Sequence, residues 1–520
     1  MAHIELICVS EAKSPDGKIW KFPFAFPVII RQLQKTKHTF NVIDTHLHKK
    51  SFEEVIDIAR KSNSRIFGIS AFSHNYASVK AMAEGIRKAH KDALIIVGGL
   101  LARNDNVLMG RTEVDIAVTG AEGEFILPEI LDAYDSGTSL EKVKGLTYRD
   151  RTTKRIVHTG FRPLMTDEQY QDLEMPAYEY FDKEIRELVA NIAFRTDFPV
   201  KAFPLLTMRG CPFRCTFCGQ LYGRRFFKRS WSKYFDEIEF LQKRYGIEGF
   251  YKYDQNMFLS EKDVDEYCSE YDKRGCNAKM LVALRPTFGN YDMFKKLKEH
   301  GVVTVLFGLE SGSQYMLDRM RKKFNYLRMK KIIKSAMDAG LMIHGNFIFG
   351  TPGETEKTIG ETREFMMLIE RWIFDQRKKF ELEGKMCTSG YGWSILIPSP
   401  TSELYDLAVK KGLIEDEEQY LLSLGTNEAF KLVAGSHFKI ALAEVGGGVN
   451  MSDFPSVGAL INYVRFSLNW VKFKAQFFDH TDLLKSHSRT VSLLYNSVKY
   501  FIEYLIETFK ASGSGKVIRR

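Results

Sequence analysis

The sequence predicts an α/β fold built from two successive parallel-sheet units and a helical C-terminal region. Short apolar, β-branched runs alternate with helical patterns over residues 1–140, and the same alternation returns over residues 201–400. This alternation is typical of parallel sheets covered by helices. Residues 401–520 instead carry long helical patterns rich in aromatic residues. The chain of 520 residues is long enough for two or three domains.

The first unit contains five predicted strands with helical crossovers between them. These strands are residues 4–9, 40–44, 65–70, 93–99 and 115–120. Ligands of open parallel sheets bind beyond the carboxyl ends of the strands, and glycines cluster there. Gly98 and Gly99 end the fourth strand, while Gly120 and Gly123 flank the end of the fifth. Glycine allows close approach of a ligand to the backbone, so we expect a binding site at this edge of a flavodoxin-like or dinucleotide-binding unit.

Residues 141–200 are predicted to link the two units. Two short strand patterns surround the basic turn Thr152–Lys154 and predict a hairpin. A polar segment that contains proline follows the hairpin and predicts an irregular connector.

The second unit contains six predicted strands, which suit a partial or full parallel barrel. They are residues 204–210, 249–255, 279–285, 302–310, 342–350 and 391–399. Active sites of parallel barrels lie at the carboxyl ends of the strands. The polar residues and glycines at these ends are therefore functional candidates, and they include Tyr253, Asp254, Gln255, Asn256, Arg285, Glu310, Ser311, Gly312, Gly350, Gly353 and Glu354.

Three cysteines lie within eight residues directly after the first strand of the second unit. Cys211, Cys215 and Cys218 bring three thiol ligands to one turn. A structural zinc site is closed by four protein ligands, and an electron-transfer iron–sulfur cluster usually has four cysteines. Three ligands would leave one iron of a four-iron cluster open to a substrate or cofactor. A zinc knuckle completed by a distant Cys or His is the alternative.

This C-x3-C-x2-C spacing, with Phe217 before the last cysteine, resembles the signature of the radical S-adenosylmethionine (SAM) superfamily. In that family the open iron of a [4Fe-4S] cluster chelates the amino and carboxylate groups of SAM. One electron then cleaves SAM to a 5′-deoxyadenosyl radical. The resemblance implies that Cys211, Cys215 and Cys218 bind the cluster.

Later segments resemble further radical SAM motifs in the expected order. GLESGS, residues 308–313, is similar to the segment that approaches the SAM methionine and ribose, and GNFIFGTPGE is similar to the motif that lines the adenine. The implied SAM-binding residues are Arg285, Glu310, Ser311, Phe347, Ile348 and Gly350. Two departures stand out: Asn346 occupies the first glycine position of the adenine motif, and Thr401 and Ser402 replace a Gly-Thr pair after the sixth strand.

The first unit is similar to the cobalamin-binding domain that precedes the radical SAM domain in one large subfamily. The similarity rests on IIVGGLLA and, about twenty residues later, VTGAEGEFILPEIL. It implies a Rossmann-like (flavodoxin-like) cobalamin-binding domain over 1–140, a linker over 141–200, a partial parallel (β/α)6 radical SAM barrel over 201–400 and a helical domain over 401–520. The implied cobalamin-binding residues are Ser70, Phe72, Ser73, His74, Asn75, Gly98, Gly99, Gly120, Glu122 and Gly123.

His46 begins a match to the cobalamin motif D-x-H-x-x-G but does not complete it. Lys49 stands where the motif requires glycine, and Asp44 and His46 follow the second strand and not the first. We therefore predict that Asp44, His46 and His48 are strand-end or loop residues at the surface. His74 is better placed to face the corrin ring, and the sequence leaves the axial ligand of cobalt open.

Composition limits the compartment and the partners. Seven cysteines, an odd number with four scattered, favour a reducing cytoplasmic environment over a disulfide framework. The N-terminus does not resemble a signal peptide, and no apolar run is long enough to predict a spanning helix. A net charge of +10 permits attraction to nucleic acid, anionic lipid or an acidic electron donor. The basic runs Arg319–Lys323 and Asp375–Lys379 are predicted to be solvated helix faces.

The C-terminal region is also basic, with ten Lys and Arg against four Asp and Glu from Pro455 onward. A basic amphipathic helix can lie in a membrane interface, which would suit a lipid-like substrate. A helical cap on the barrel mouth is the interpretation we prefer, because globular helices normally bury such apolar stripes.

The combined resemblance implies a cobalamin-dependent radical SAM methyltransferase that acts on an unactivated carbon or on phosphorus. One SAM would methylate cobalamin, and a second would supply the radical that activates a small-molecule or lipid-like substrate. A low-potential donor such as flavodoxin or ferredoxin is implied. The alternatives are an enzyme of the same architecture that catalyses cyclisation or ring rearrangement, and a zinc-stabilised nucleic-acid-binding protein. Tyr253, Asp254 and Tyr391 are the candidate catalytic residues, and the sequence does not predict the oligomeric state.

Overall fold

The structure is a computed structural model that describes residues 1–9, 21–191, 200–206, 208–219, 221–223, 225–252, 256–380, 389–425, 449–475 and 487–513. Two sheets dominate these residues, and both consist largely of parallel strands. The predicted α/β fold class is therefore confirmed.

The first sheet has seven strands in the order β2-β1-β3-β4-β5-β6-β7. The strands are β1 (His3–Cys8), β2 (Thr39–Asp44), β3 (Ile66–Ser70), β4 (Leu94–Gly98), β5 (Ile116–Val118), β6 (Leu146–Arg149) and β7 (Ile156–His158). Strands β1 to β5 are parallel, as the sequence predicts. The helices between them are α1 (Ala25–Leu33), α2 (Phe52–Lys61), α3 (Tyr76–Ala89), α4 (Asp105–Arg111) and α5 (Gly123–Ser136).

The hairpin predicted in the linker continues this first sheet. Strand β6 pairs antiparallel with β5, and β7 pairs antiparallel with β6. The boundary at residue 140 stays a prediction, but the hairpin after it belongs to the same sheet. Two helices follow, α6 (Asp167–Gln171) and α7 (Asp182–Asn191).

Aromatic packing joins the first sheet to the second unit. The ring of Phe22 lies 5.1 Å from that of Phe203, and Tyr178 from the connecting segment lies 5.9 Å from Phe203. These side chains are almost fully buried in one continuous core that includes residues of both units. Burial of such rings contributes strongly to stability, so the two units pack as neighbours.

The second sheet has six parallel strands in chain order across the sheet. They are β8 (Ala202–Leu205), β11 (Gly249–Lys252), β12 (Lys279–Leu284), β13 (Val302–Glu310), β14 (Met342–Phe349) and β15 (Gly390–Ile395). The short strands β9 (Met208–Gly210) and β10 (Phe226–Lys228) pair antiparallel with each other in a separate two-stranded sheet. The covering helices are α8 (Trp231–Tyr245), α9 (Glu261–Lys273), α10 (Tyr291–Glu299), α11 (Gln314–Arg319), α12 (Tyr326–Asp338) and α13 (Glu356–Lys379).

Burial alternates along the central strands of this sheet. In β12, Met280, Val282 and Leu284 are buried, whereas Leu281 and Ala283 between them are only half-buried. Strand β14 follows the same rule, with Phe347 and Phe349 buried, Asn346 exposed and Ile348 half-buried. Successive side chains of a strand point to opposite faces. One face is therefore covered by helices, and the other lines the open interior expected of a partial barrel.

The C-terminal region is helical, as predicted, over its described residues. Its helices are α14 (Glu403–Lys410), α15 (Glu417–Gly425), α16 (Val457–Ala475) and α17 (His487–Gly513). Leu460 of α16 packs beside Gly350 at the end of β14, and the Met451 amide donates a 3.1 Å hydrogen bond to the Gly350 carbonyl. Helix α17 packs on α16 through rings such as Tyr463 and Tyr504, 5.1 Å apart. In the described ranges, the helices lack the combination of length and hydropathy needed to cross a bilayer.

Candidate active site

A cavity of about 440 Å³ lies at the carboxyl edge of the first sheet. Ser70, Gly98 and Gly99 line it where β3 and β4 end, and Gly120 and Gly123 line it after β5. A side chain at Gly98 would enter open space. Gly99 has φ +82°, and its Cβ would lie 2.6 Å from the Ala71 carbonyl oxygen, so only glycine fits without strain.

The structure places six of the ten predicted cobalamin-site residues in this cavity. The five residues named above are joined by Phe72, which is 56% exposed and stacks on His74 at 5.7 Å. Ser73, His74, Asn75 and Glu122 are not among the lining residues. Asn75 instead accepts a hydrogen bond from the Phe72 amide, and buried Glu122 accepts one from the Met165 amide at 3.0 Å. Burial raises the pKa of Glu122.

Asp44 and His46 form a tight turn after β2. The Asp44 carboxylate accepts hydrogen bonds from the amides of His46 and Leu47 at 2.8 and 2.7 Å. The predicted strand-end position is correct, but the predicted surface placement is wrong, because both side chains are almost fully buried. The hydrogen bonds from these two amides compensate the burial of the Asp44 carboxylate.

The cluster loop holds Cys211, Cys215 and Cys218 directly after β9, and all three are half-buried. The loop is anchored from two sides. The Thr216 amide donates to the Met320 carbonyl, and the Leu404 amide donates to the Thr216 carbonyl, each at 3.2 Å. A Cβ at Gly219 would lie within 2.9 Å of the hydroxyls of Thr401 and Ser399. The loop is thus packed against the segment after β15.

The three thiols lie close enough to influence one another electrostatically. Burial first, and then repulsion from the other cysteines, raises the pKa of Cys211 and raises that of Cys218 to about 11. Their thiolates therefore need a bound cation to form near neutral pH. Within the described residues, no three His, Cys, Asp or Glu side chains surround a position for a single metal ion. A four-iron cluster binds each cysteine through a different iron, so its ligands stand farther apart.

Arg285 extends from the end of β12 to the cluster loop. Its Nη1 donates a hydrogen bond to Cys215 Sγ at 3.3 Å, and its guanidinium lies 4.0 Å from the centre of the Phe213 ring. A second guanidinium nitrogen donates to the Lys322 carbonyl. The structure thus brings Arg285 into the predicted site, next to the loop cysteines.

Lys322 is a site residue that the sequence analysis missed. It lies in the basic run predicted to be solvated, but it is only 4% exposed, so the prediction is wrong at this position. Its Nζ donates to Glu310 Oε1 at 2.9 Å. Arg321 and Lys323 beside it are exposed. The sequence of a basic run does not indicate which of its side chains is buried.

The predicted SAM-binding residues divide between the two faces of the second sheet. Ile348 has the same parity as exposed Asn346 in β14, and Arg285 continues the parity of half-buried Leu281 and Ala283 in β12, so both face the interior. Glu310 follows a register shift in β13, and its carboxylate lies beside the interior-facing side of Gly308. Phe347 is fully buried on the other face, where its ring lies 6.0 Å from Phe365 of α13. Of the two apolar residues predicted to line the adenine, the geometry therefore favours Ile348.

Tyr391 also lies on the helix-covered face. Its ring is 5.8 Å from that of Phe347, and its hydroxyl donates to Glu370 of α13 at 2.9 Å. It is the second residue of β15, distant along the strand from the carboxyl end. The structure thus does not support the expectation that Tyr391 faces the pocket. Tyr253 and Asp254 lie outside the described residues, so their catalytic roles stay predictions.

Hydrogen bonds between its own residues hold the adenine-motif region together. Gly350 has φ +89°, and its amide donates to the carboxylate of Glu354. Glu354 is fully buried, and burial raises its pKa to about 8. Ser311 is also buried, with its hydroxyl 3.0 Å from that of Thr362 on α13. At Gly345, one residue before the expected glycine, an added Cβ would lie 2.1 Å from a methyl carbon of Leu309, so a larger residue there would displace the Leu309 side chain.

The cavity and the cluster loop adjoin each other. Met208, Arg209 and Gly210, which precede Cys211, line the cavity together with Leu221 and Tyr222 after Cys218. Arg209 forms a buried ion pair with Glu124 of α5. The Tyr222 hydroxyl donates to the Ala121 carbonyl at 3.1 Å. The carboxyl edge of the first sheet is therefore bonded to both sides of the cysteine motif.

Two family models match the halves of this arrangement. The B12 binding domain matches residues 22–131, which run from before α1 into α5 and include the glycines that line the cavity. The radical SAM superfamily matches residues 205–366, which span the cluster loop and β9 to β14. The chain therefore carries a B12 binding domain followed by a radical SAM domain.

Proteins similar to this chain include methyltransferases and a cyclase. The chain is 24% identical over 388 residues to an uncharacterized methyltransferase of Pyrococcus horikoshii, covering 74% of this chain and 78% of the relative. It is 26% identical over 346 residues to the anaerobic magnesium-protoporphyrin IX monomethyl ester cyclase of Cereibacter sphaeroides, covering 64% of this chain and 54% of the relative.

A solved structure supports the fold. The radical SAM methyltransferase TsrM from Kitasatospora setae, with cobalamin and a [4Fe-4S] cluster bound, superimposes with a TM-score of 0.59 at 17% identity. The match covers 79% of this chain and 75% of TsrM.

The residues present fit both groups. Soft thiol donors from one loop suit an iron–sulfur cluster, and a cation at Arg285 can offset the negative charge of thiolates beside it. The glycine-lined cavity lets a large flat ligand approach the backbone at Gly98 and Gly99.

Proposed function

We propose that this chain is a cobalamin-dependent radical SAM methyltransferase that methylates an unactivated carbon or a phosphorus centre. One observation carries the proposal: the cavity at the end of the first sheet is lined by Gly98 and Gly99 and also by Met208, Arg209 and Gly210, which lead into the cysteine motif. A cobalamin bound there would lie beside the cluster loop. When bound, the cluster and SAM supply a 5′-deoxyadenosyl radical, and cobalamin supplies the methyl group.

The chain's own residues would hold and orient these groups. Cys211, Cys215 and Cys218 would bind the cluster, and Arg285 would place a positive charge beside it. Glu310 and Ile348 would face SAM from the barrel interior, where a carboxylate suits the ammonium or hydroxyls of SAM and an apolar side chain suits its adenine. Helix α16 packs over the end of β14, which helps to exclude water from that end of the barrel.

The proposed partners follow from the chemistry and the charge. A low-potential flavodoxin or ferredoxin would reduce the cluster, and the net charge of +10 would attract such an acidic donor. The six cysteines in the described residues are free, which supports a reducing cytoplasmic location. The substrate would be a small or lipid-like molecule, and the basic C-terminal helices support peripheral membrane contact.

The test is turnover by anaerobically purified and reconstituted protein. Absorption spectra should show both cluster and corrin, and SAM should yield S-adenosylhomocysteine and 5′-deoxyadenosine with a methyl-accepting substrate. The Cys215→Ala variant should lose iron and 5′-deoxyadenosine formation. The matched Cys276→Ala variant, at a half-buried cysteine outside the motif, should keep both. Iron and SAM cleavage that survive Cys215→Ala would contradict the proposal.

A second candidate is a cobalamin-dependent enzyme that forms or rearranges a ring without methyl transfer. The similarity to the Cereibacter sphaeroides cyclase favours it. This enzyme would form 5′-deoxyadenosine but no S-adenosylhomocysteine during turnover. The ratio of these two products therefore separates the candidates.

A further inference from the structure

Helix α17 carries a continuous apolar stripe on its outer face. Nine large apolar side chains along it are between 38% and 82% exposed: Val491, Leu494, Tyr495, Val498, Phe501, Ile502, Leu505, Ile506 and Phe509. With 1.5 Å of rise per residue, the stripe is about 27 Å long. Soluble monomers rarely expose so many contiguous apolar side chains without a binding role.

The opposite face of α17 holds the helix on the protein. Tyr504 is only 8% exposed, packs 5.1 Å from Tyr463 of α16 and donates to the carboxylate of Glu356 on α13. Ser497, also buried, lies on this inner side. The packing of α17 on α16 thus fixes which residues face outward.

The stripe is broader than the seam of a two-stranded coiled coil. At about 100° per residue, its members span an arc of about 140°. A coiled-coil seam uses only the a and d positions and is flanked by charged residues on both sides. Between Val491 and Phe509, by contrast, each position within this arc is apolar, and charge lies on one flank only, at Lys499 and Glu503. A broad planar partner fits this face better than a single helix.

Charge at the C-terminal end favours an anionic surface. After Glu507 the sequence contains Lys510, Lys516, Arg519 and Arg520 and no acidic residue. Lys499 on the flank is 50% exposed in its side chain and lies 3.9 Å from the Glu503 carboxylate, so the excess of cations comes from the sequence after Glu507. Basic residues next to an apolar face add attraction to acidic headgroups, at about 1 kcal/mol for each cation near the surface.

We propose that the outer face of α17 docks this protein on the surface of a membrane that contains anionic lipid. The apolar stripe would enter the boundary between headgroups and acyl chains, and the excess of basic over acidic residues in the sequence after Pro455 would add attraction to acidic headgroups. This contact would hold the protein at the membrane surface, and α17 would not cross the bilayer. The inference goes beyond the proposed methyl transfer, and it does not depend on that reaction.

The test is flotation of the complete, cofactor-loaded protein with two kinds of vesicle, one of phosphatidylcholine alone and one of phosphatidylcholine with phosphatidylglycerol. We expect binding to the anionic vesicles that weakens with salt. Replacing Val498 and Ile502 together by glutamate (V498E/I502E) should weaken binding at least about tenfold, because charges would enter the apolar interface. Phe161→Glu, at an aromatic residue that is 80% exposed on the first unit, is the matched control and should bind like the original protein.

Size-exclusion chromatography with light scattering checks folding and association of each variant. Failure to bind anionic vesicles would overturn the proposal, and so would equal binding by V498E/I502E. A dimer that this double variant dissociates, without vesicle binding, would also overturn it and assign the face to a second copy. Vesicle binding is measured without turnover, so failure of the proposed methyl transfer would be seen separately.

Discussion

Lys322 and Glu310 form an ion pair beside the cluster loop that is almost removed from water. Their side chains are 5% and 9% exposed, and the nitrogen-to-oxygen distance is 2.9 Å. A buried pair adds little net stability compared with apolar residues, but removal of one partner leaves an uncompensated charge. Replacing either residue alone should therefore destabilise the folded protein.

We predict that Lys322→Met lowers the free energy of unfolding by about 3 to 5 kcal/mol, because Glu310 loses its partner in a buried site. Combining it with Glu310→Gln should restore most of that loss. Urea denaturation of the single and double variants measures the coupling. Lys323→Met, at the exposed neighbour, should change stability little. Additive losses in the double variant would show that the two residues do not interact.

Glu354 leads to a prediction of how the stability of the protein depends on pH. Its pKa is raised by burial to about 8, above the ordinary value of 4.5. Between these two values the unfolded chain loses a proton that the folded chain keeps, so this group makes the folded state less stable as pH rises. The effect is absent below about pH 4.5 and complete above about pH 8.

The Glu354→Gln variant removes this titration while keeping an oxygen for the Gly350 amide. Relative to the original protein, we expect its melting temperature to rise progressively between about pH 5 and pH 8 and to level off above that. Glu364→Gln, at an exposed residue of the following helix, should show no such trend. A constant difference between Glu354→Gln and the original protein across this range would contradict the prediction. Differential scanning fluorimetry in matched buffers is sufficient.

At the scale of elements, the segment between β15 and α14 packs against the cluster loop. One residue of this segment has a strained backbone conformation. Thr401 has φ +80°, a left-handed conformation that disfavours β-branched residues. Its hydroxyl lies beside Gly219 of the loop. Ser402 follows as the N-cap of α14 and accepts a hydrogen bond from the Tyr405 amide at 3.1 Å. Ser402 thus keeps a hydroxyl at the position of the family's threonine, where the helix cap is needed. Thr401 replaces the family's glycine and is the strained residue.

We predict opposite effects of substitution at these two positions. Thr401→Gly should raise the free energy of unfolding by about 1 kcal/mol, because glycine adopts this backbone conformation without strain. Ser402→Ala should lower it by about 1 kcal/mol, because the cap hydrogen bond is lost. Urea denaturation measures both. A loss of stability in Thr401→Gly would show that contacts of its side chain outweigh the strain.

At the scale of the whole molecule, the glycine-lined cavity lies where the two units meet. Glu124 belongs to the first unit and Arg209 to the second, and both line the cavity and pair with each other. Their side chains are 7% and 12% exposed. A ligand in this cavity would contact both units, so its binding should stabilise them together.

We predict that Glu124→Ala weakens cobalamin binding about tenfold or more, because it leaves the buried Arg209 charge without its partner at the cavity wall. Titration of the cofactor-free protein with hydroxocobalamin, followed by absorbance, measures the affinity. Glu129→Ala is the matched control on the same helix, since its pair with Arg162 is more exposed. Equal loss of affinity in both variants would argue against a specific role for Glu124.

The sequence by itself determined the order of strands and helices, the two parallel sheets and the three-cysteine loop. These features depend on local periodicity, on glycine at strand ends and on short motif spacing, which are visible in consecutive residues. Ser70, Gly98 and Gly99 could be placed at a binding edge for the same reason.

Only the tertiary structure decided which side chains face the site. Lys322 lies between exposed basic neighbours but turns inward to Glu310, and Phe347 and Tyr391 turn away from the barrel interior. Arg209 meets Glu124, which is 85 positions earlier in the chain. Such pairings arise because buried charges require partners and because the direction of each side chain follows from the register of distant strands, which no local pattern records.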